Sequence, residues 1–256
     1  MGVLNVTPDS FSDGGRNLAV ETAVASAERM IAEGADIIDI GGESTRPDAD
    51  PVDGETERTR VLPVIEALAG RDVAISIDTY RAETADAAVR AGAHVVNDVW
   101  GAQRDPDLAR VAAKTGAGLI LMHNSRDRNL DADPVVDQKV FLERSLKIAA
   151  DAGVVSEAIV LDPGIGFGKD ATINLALMAR LEELHALGHP LLLGTSRKRF
   201  LGAITGHDRA ANRDAATAAT TALGRAAGVA IFRVHAVEPN RDAVAVADAV
   251  RRGEVG

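Results

Sequence analysis

Short apolar runs recur along this chain, each followed by a polar loop and then by a stretch whose apolar residues fall three and four positions apart. The runs are Val3 to Val6, Asp36 to Ile40, Val73 to Ile77, His94 to Val96, Gly118 to Met122, Ala158 to Leu161, Leu191 to Gly194 and Ala230 to Val234. They are unbroken rather than alternating, as parallel strands buried on both faces require. The stretches between them predict helices at about Ala19 to Glu33, Glu55 to Leu68, Ala82 to Ala91, Pro106 to Lys114, Pro134 to Ala152, Ile173 to Leu187, Arg213 to Ala227 and Pro239 to Arg252. Strand alternating with helix implies right-handed crossovers between parallel strands. Eight such units in 256 residues average about 32 each, the size of one unit in a (β/α)₈ barrel of about 250 residues. The expected fold is therefore α/β, a single (β/α)₈ TIM barrel with one domain over residues 1–256. A doubly wound open sheet is the alternative, but it gathers its ligand groups at one switch point. The first run begins almost at residue 1, an abrupt start that points to a native N-terminal extension.

Barrel enzymes build their sites from the loops after the strands, and every run here ends in polar groups. In order these are Asn5; Asp39 and Gly41 to Pro47; Asp78; Asn97 and Asp98; Met122-His123-Asn124; Asp162; Thr195 to Arg199; and Arg233 with His235. One such aspartate is usually a helix cap or a turn residue, but eight coinciding ends exceed what caps explain. Asp78, Asn97, Asp162 and Lys198 together can read a flat, nitrogen-rich heterocycle through paired hydrogen bonds. Asn5, Arg233 and His235, with Arg46 and the Arg197-Lys198-Arg199 run, form a donor-rich corner suited to a phosphate or diphosphate.

The stretch Leu161 to Lys169, L-D-P-G-I-G-F-G-K, is the most distinctive of these ends. Its glycines reach backbone conformations closed to other residues, so it can fold back tightly over whatever Asp162 holds. It is neither a phosphate-binding P-loop, because Pro163 and Asp170 occupy the positions that need Gly and Ser or Thr, nor a dinucleotide fingerprint, because Lys169 stands where a small residue belongs.

Composition narrows the chemistry. A formal charge of −10 argues against broad nucleic-acid or anionic-membrane binding, so any phosphate recognition is local. Cysteine is absent, which excludes disulfides, thiolate metal sites and a cysteine nucleophile. No apolar run approaches the roughly 20 residues of a membrane span and no secretory signal opens the sequence, so a cytoplasmic protein is expected.

The runs Met1 to Gly15 (M-G-V-L-N-V-T-P-D-S-F-S-D-G-G), Gly41 to Pro47, Leu161 to Lys169, Ser196 to Gly202 (S-R-K-R-F-L-G) and Arg233-Val234-His235 resemble dihydropteroate synthases, in the same order and over nearly the whole chain. The resemblance implies a homodimeric (β/α)₈ enzyme that joins 6-hydroxymethyl-7,8-dihydropterin diphosphate to p-aminobenzoate with Mg²⁺, releasing pyrophosphate through a pterin carbocation. It implies catalytic roles for Asp78, Lys198, Asp13 and Arg233. The pterin would meet Asp78, Asn97, Val99, Met122, Asp162, Lys198 and Arg233, and the diphosphate Asn5, Arg233 and His235. The p-aminobenzoate would meet Phe11, Thr45, Arg46, Pro47, Phe167, Lys198 and Arg199, and Mg²⁺ would be held by Asn5 and Asp13. The loop Thr7 to Asn17 is expected to be a mobile lid.

Other residues receive plainer readings. Lys169 and the Arg104, Arg126 and Arg128 cluster are expected to be solvated surface charges, His123 is left between a supporting role and none, and His94, His185, His189 and His207 are assigned no chemistry. The segment Ala215 to Gly224 carries no charge, so this helix is expected to pack on both sides, against a second subunit. Three departures from the family pattern bear on affinity: Asp48 for a usual glycine, Arg199 where some members have serine, and Ala236 for a frequent aspartate beside His235. Two rivals remain, a methyltetrahydrofolate methyltransferase on a similar barrel and a non-catalytic pterin-binding paralogue.

Overall fold

Buried parallel strands with helices between them are what the hydrophobic pattern demands, and the computed structural model, which describes residues 1–7, 16–44, 50–126, 128 and 130–254, has that architecture. The strands are β1 (Gly2–Asn5), β2 (Ile37–Gly41), β3 (Ala74–Asp78), β4 (Val95–Asp98), β5 (Gly118–Met122), β6 (Ile159–Asp162), β7 (Leu192–Leu193) and β8 (Ile231–Phe232). The helices are α1 (Arg16–Ala32), α2 (Gly54–Leu68), α3 (Ala82–Arg90), α4 (Asp107–Thr115), α5 (Pro134–Ala152), α6 (Ala171–Ala179), α7 (Arg199–Thr205), α8 (Asp214–Ala226) and α9 (Val237–Arg252).

Strands β1 to β6 pair in sequence order, all parallel, and β7 pairs with β8. Two narrow seams close the ring. Leu161 bridges Leu191, with the Leu161 amide donating to Pro190 O at 2.9 Å, and Gly2 bridges Val234, with Val3 N on Val234 O and Val234 N on Met1 O, both at 2.9 Å. The result is an eight-stranded (β/α)₈ barrel.

Its interior has an apolar floor of Met1, Ile120 and Leu192, flanked by Ile37, Val95, Val160 and Ile231. The outward faces of the strands, among them Ile38, Ile40, Ile75, Ile77, Leu119, Leu121 and Leu161, meet the helices in a second apolar layer rich in small side chains such as Ala85, Ala88, Ala109 and Ala112. The polar groups crowd above the floor, at the end where the strands finish.

Several elements differ from the pattern-based expectation. The helix expected over Ile173 to Leu187 stops at Ala179, and residues Leu181–Leu187 form 3₁₀ turns. At the break, the Arg180 guanidinium pairs with both Glu183 and Asp133, the N-cap of α5. Several predicted strand ends also fall short, because Gly41, Asp78, Asn97, Asp98 and Asp162 lie inside the ladders rather than after them. That shift matters for the site, since pleating then fixes which side each residue faces.

Candidate active site

The site begins as one rung of the barrel. Asn5 stands opposite Gly41, Gly41 opposite Asp78, and Asp78 opposite Asn97, so four adjacent strands present these residues at one level. The stagger of the barrel lifts the next pair by two residues: Asn97 faces Ile120, and Met122 faces Asp162 one step higher along the same face. Gly194, just past β7, lies at the meeting point. A Cβ there would stand 3.9 Å from Asp162 Oδ2, Lys198 Nζ and Arg233 Cβ alike. Sequence-distant Asp78, Asn97, Met122, Asp162, Lys198 and Arg233 thus converge, and Val99 is buried immediately above Asn97 and Asp98.

Charge is organised around Arg233. Its Nε donates to Asp39 Oδ2 at 2.5 Å and its Nη2 to Asp78 Oδ2 at 2.6 Å, while Asn97 Nδ2 reaches the same Asp39 oxygen at 3.2 Å. Burial opposes the Arg233 charge, but the carboxylates of Asp39 and Asp78 more than offset it and raise its pKa. Burial lifts the Asp78 carboxyl to about 7, with Arg233 pulling it down and Asp39 pushing it further up. Asp39 carried no role in the sequence reading. The signal was present, however, as one carboxylate inside the apolar run Ile37-Ile38-Asp39-Ile40, and its second oxygen is buried without a protein partner.

Lys198 enters from the turn before α7. Its ammonium donates to Ile165 O and lies 4.8 Å from the Phe167 ring centroid. Burial lowers its pKa to about 8, against an opposing pull from Asp162. The chain reaches it through Arg197, a non-glycine residue at φ 60°. That conformation is held by the Arg197–Asp214 ion pair at 2.7 Å, by Arg197 N on Thr217 Oγ1 at 3.1 Å and by Arg213 Nη1 on Arg197 O at 2.9 Å. On the anion side, Ser196 Oγ bonds His235 Nδ1 at 2.9 Å and accepts from the His235 amide at 3.1 Å. The orienting partner that Ala236 cannot supply is therefore a serine from the neighbouring loop. Arg199 and Asn5 are exposed at the mouth.

The loop from Asp162 to Lys169 is tied at almost every residue. Asp162 Oδ1 accepts from Gly164 N at 2.7 Å, Gln138 Nε2 donates to Pro163 O at 3.0 Å, Gly166 N donates to Asn174 Oδ1 at 2.8 Å, and Ser125 N donates to Phe167 O at 3.3 Å. Gly164 sits at φ 61°, and a Cβ on it would come within 1.9 Å of His123 O, so only glycine lets the loop lie this close to β5. Burial raises the Asp162 pKa, with Lys198 the largest opposing influence.

The charges expected at the surface divide. Lys169 is buried, with its ammonium on Gly164 O at 2.9 Å and Phe167 O at 3.2 Å. Arg128 binds Asp137 and His123, Arg126 lies 4.9 Å from the Phe167 ring, and exposed Arg104 lies 4.3 Å from the Tyr80 ring and 5.0 Å from Trp100. Charge-run reasoning missed Lys169 because it cannot see that the loop folds back over it, whereas Arg104 and Arg128 are exposed as expected. His123 is fully buried and bonded to Asp137 at 2.7 Å, and burial drives its pKa down to about 3, so it stays neutral.

Phe11, Asp13, Thr45, Arg46, Pro47 and Asp48, and the lid expected over Thr7 to Asn17 apart from Thr7 and the start of α1, lie outside the described residues. The stem of the second loop is described. Arg81 bridges it, binding Glu43 Oε2 at 2.7 Å on one side and Val52 O at 2.5 Å on the other, and reaching buried Glu57 at 3.1 Å. Among the described residues, no group of three or more His, Asp or Glu side chains could hold a metal ion, and no helix is long and apolar enough to cross a membrane.

Comparison with known proteins bears on this arrangement. Residues 1–235 match the family described as pterin binding enzyme. A dihydropteroate synthase of Bacillus subtilis is 50% identical over 239 residues, covering 93% of this chain and 83% of that protein. Among solved structures, a dihydropteroate synthase from Clostridium difficile, crystallised in the presence of pteroic acid, superposes with a TM-score of 0.95 at 47% identity, covering 98% of this chain and 96% of that one. A Xanthomonas albilineans dihydropteroate synthase with 4-aminobenzoic acid gives a TM-score of 0.93 at 43% identity, covering 98% and 92%.

Proposed function

The chain belongs to the pterin binding enzyme family, and from that membership and the geometry of the site we infer that it catalyses the dihydropteroate synthase reaction. In that reaction the carbon–oxygen bond between the pterin methylene and the diphosphate breaks, its electron pair leaving on pyrophosphate. The arylamine nitrogen of p-aminobenzoate then forms the new carbon–nitrogen bond and releases one proton. The observation that carries the reading is the convergence of Asp78, Asn97, Asp162, Lys198 and Arg233 around Gly194. This set offers carboxylate acceptors to the amino and ring N–H groups of a pterin and an ammonium to its carbonyl, with Met122 and Val99 as apolar walls.

Asp78 stands where charge develops: as a carboxylate it stabilises the methylene cation electrostatically, in a water-poor site where such a charge counts most. Arg233, already bonded to Asp78, faces the ring and the departing diphosphate, with His235, oriented by Ser196, and Asn5 on the anion side. Asn5 together with Asp13 supplies the hard oxygen donors that suit Mg²⁺, which when bound neutralises charge on the leaving oxygens. Phe167, Lys198 and Arg199, with Phe11, Thr45, Arg46 and Pro47, are the residues we assign to p-aminobenzoate. We place the enzyme in the cytoplasm as a homodimer, and read residues 1–256 as one domain.

The test is pyrophosphate release from the pterin diphosphate, with and without p-aminobenzoate, in Mg²⁺ and in EDTA. Turnover that needs both the arylamine and Mg²⁺ is expected. Release indifferent to p-aminobenzoate would falsify the reading, and methyl transfer from methyltetrahydrofolate, or pterin binding without turnover, would put a rival in its place.

A further inference from the structure

Burying an ammonium is strongly unfavourable unless its surroundings compensate it, yet Lys169 is only 9% exposed. It ends the loop that starts at Asp162, and its side chain turns back inside that loop to bond the carbonyls of Gly164 and Phe167. Asn174 completes the closure, donating to Lys169 O at 3.2 Å while accepting from Gly166 N at 2.8 Å. Two lysines thus grip one loop: Lys169 holds Gly164 O and Phe167 O, and Lys198 holds Ile165 O. Lys198 also borders Asp162 and Arg233 around Gly194, whereas the Lys169 ammonium bonds carbonyls of its own loop.

We propose that Lys169 is a positioning residue, an internal cation that locks the Asp162–Lys169 loop so that Asp162 and Phe167 are presented together, and that keeps the Asp162 carboxylate ionised for the N–H edge of a pterin. The proposal rests on the pterin-binding reading of the site. The charged groups facing Lys169 are Lys198 and Arg128, which oppose its charge, and Asp162 and Asp137, which favour it. Arg128 and Asp137 are bonded to each other and largely cancel, and neighbouring His123 is neutral. What remains is Asp162 under three cations, Lys198 first, then Arg233, then Lys169. Burial brings the Lys169 pKa down to about 7, so below neutrality, where Asp162 is hardest to keep ionised, Lys169 carries its proton.

The experiment is calorimetric binding of 6-hydroxymethylpterin, which lacks the diphosphate and so isolates the pterin end, measured against pH for the wild type, Lys169→Met and Lys169→Gln. Thermal melts report folding, and arylamine-dependent pyrophosphate release is followed in parallel. Losing a nearby cation moves a carboxylate by a unit or more. Lys169 is the weakest of the three cations acting on Asp162, so both variants should shift the acid limb of binding upward by less, about half a pH unit, with about threefold weaker binding on that limb. The gap should narrow above neutrality, where wild-type Lys169 also loses its proton, and Lys169→Gln, which keeps an N–H for a loop carbonyl, should be the milder there. Folded variants with an unmoved limb, or an equal loss at every pH, would overturn the proposal. Should Lys169→Met not fold, Lys169→Gln carries the same test. A wild type without arylamine-dependent turnover overturns the proposed function and this inference with it, whereas an active wild type with unaltered variants overturns this inference alone.

Discussion

Asp78 and Lys198 both belong to the candidate site, and burial displaces their pKa values in opposite directions, to about 7 and about 8. The proposed chemistry needs Asp78 ionised to meet a cation and Lys198 protonated to donate. In the free enzyme both conditions hold together only in a narrow window, so kcat/KM should be bell-shaped, with limbs near those two values. Asp78→Asn should lose the acid limb along with most of kcat, while pterin affinity changes far less; loss of affinity in proportion to kcat would remove the cation-stabilising role. Stability should run the other way over the acid range. With the folded pKa raised above 3.8, the native state keeps a proton that the unfolded chain releases. The contribution of Asp78 is therefore full below its unfolded pKa and is lost as pH rises towards about 7. Urea titrations at several pH values, wild type against Asp78→Asn, check that slope.

At the scale of elements, the barrel was legible because buried parallel strands leave unbroken apolar runs, and the strand ends were legible because polar residues interrupt them. Asp78, Asn97, Asp162, Lys198 and Arg233 could all be picked out in this way. Side chains that return to their own loop leave no such trace: nothing in Gly168-Lys169-Asp170 tells that the lysine points inward. Asp39 stands out as a carboxylate in an apolar run, but one residue in a run cannot announce which partners reach it. Arg81 is a third case. It precedes α3 as a surface-looking residue, yet it ties the stem of the second loop to Glu57 on α2, whose side chain is 1% exposed and also accepts from Thr84 Oγ1 at 2.7 Å. Removing one partner of a buried pair leaves an uncompensated charge, so Arg81→Met should cost about 3 kcal/mol or more. The double variant Arg81→Met, Glu57→Leu should recover part of that loss. A denaturant midpoint for Arg81→Met equal to that of the wild type would show that the pair carries no stability.

For the whole molecule, the apolar surface is covered unevenly. Helix α8 turns Thr217, Thr220, Thr221 and Gly224 inward, and Arg225 crosses to Asp248 on α9 at 2.7 Å, so these two helices form one unit. The opposite side of α8 presents Ala215, Ala219 and Ala226 to solvent. Leu223 there is 66% exposed, and on α9 Val246 and Val250 are 62% and 77% exposed. A surface helix ordinarily keeps its charged side outward, and α8 has between Asp214 and Arg225 no charge with which to do so. A second copy of the chain packed on α8 and α9, as proposed, would cover this face, and a two-fold contact would use the same patch on both subunits, so one substitution would damage the interface twice. A carboxylate at an exposed position costs the isolated chain little, but at the centre of an apolar contact it must be desolvated without a partner. Leu223→Glu should therefore elute as a monomer by size exclusion with light scattering where the wild type elutes as a dimer, while each subunit keeps its folded circular-dichroism signal. A wild type that is monomeric at micromolar concentration would leave the uncharged face of α8 without this explanation.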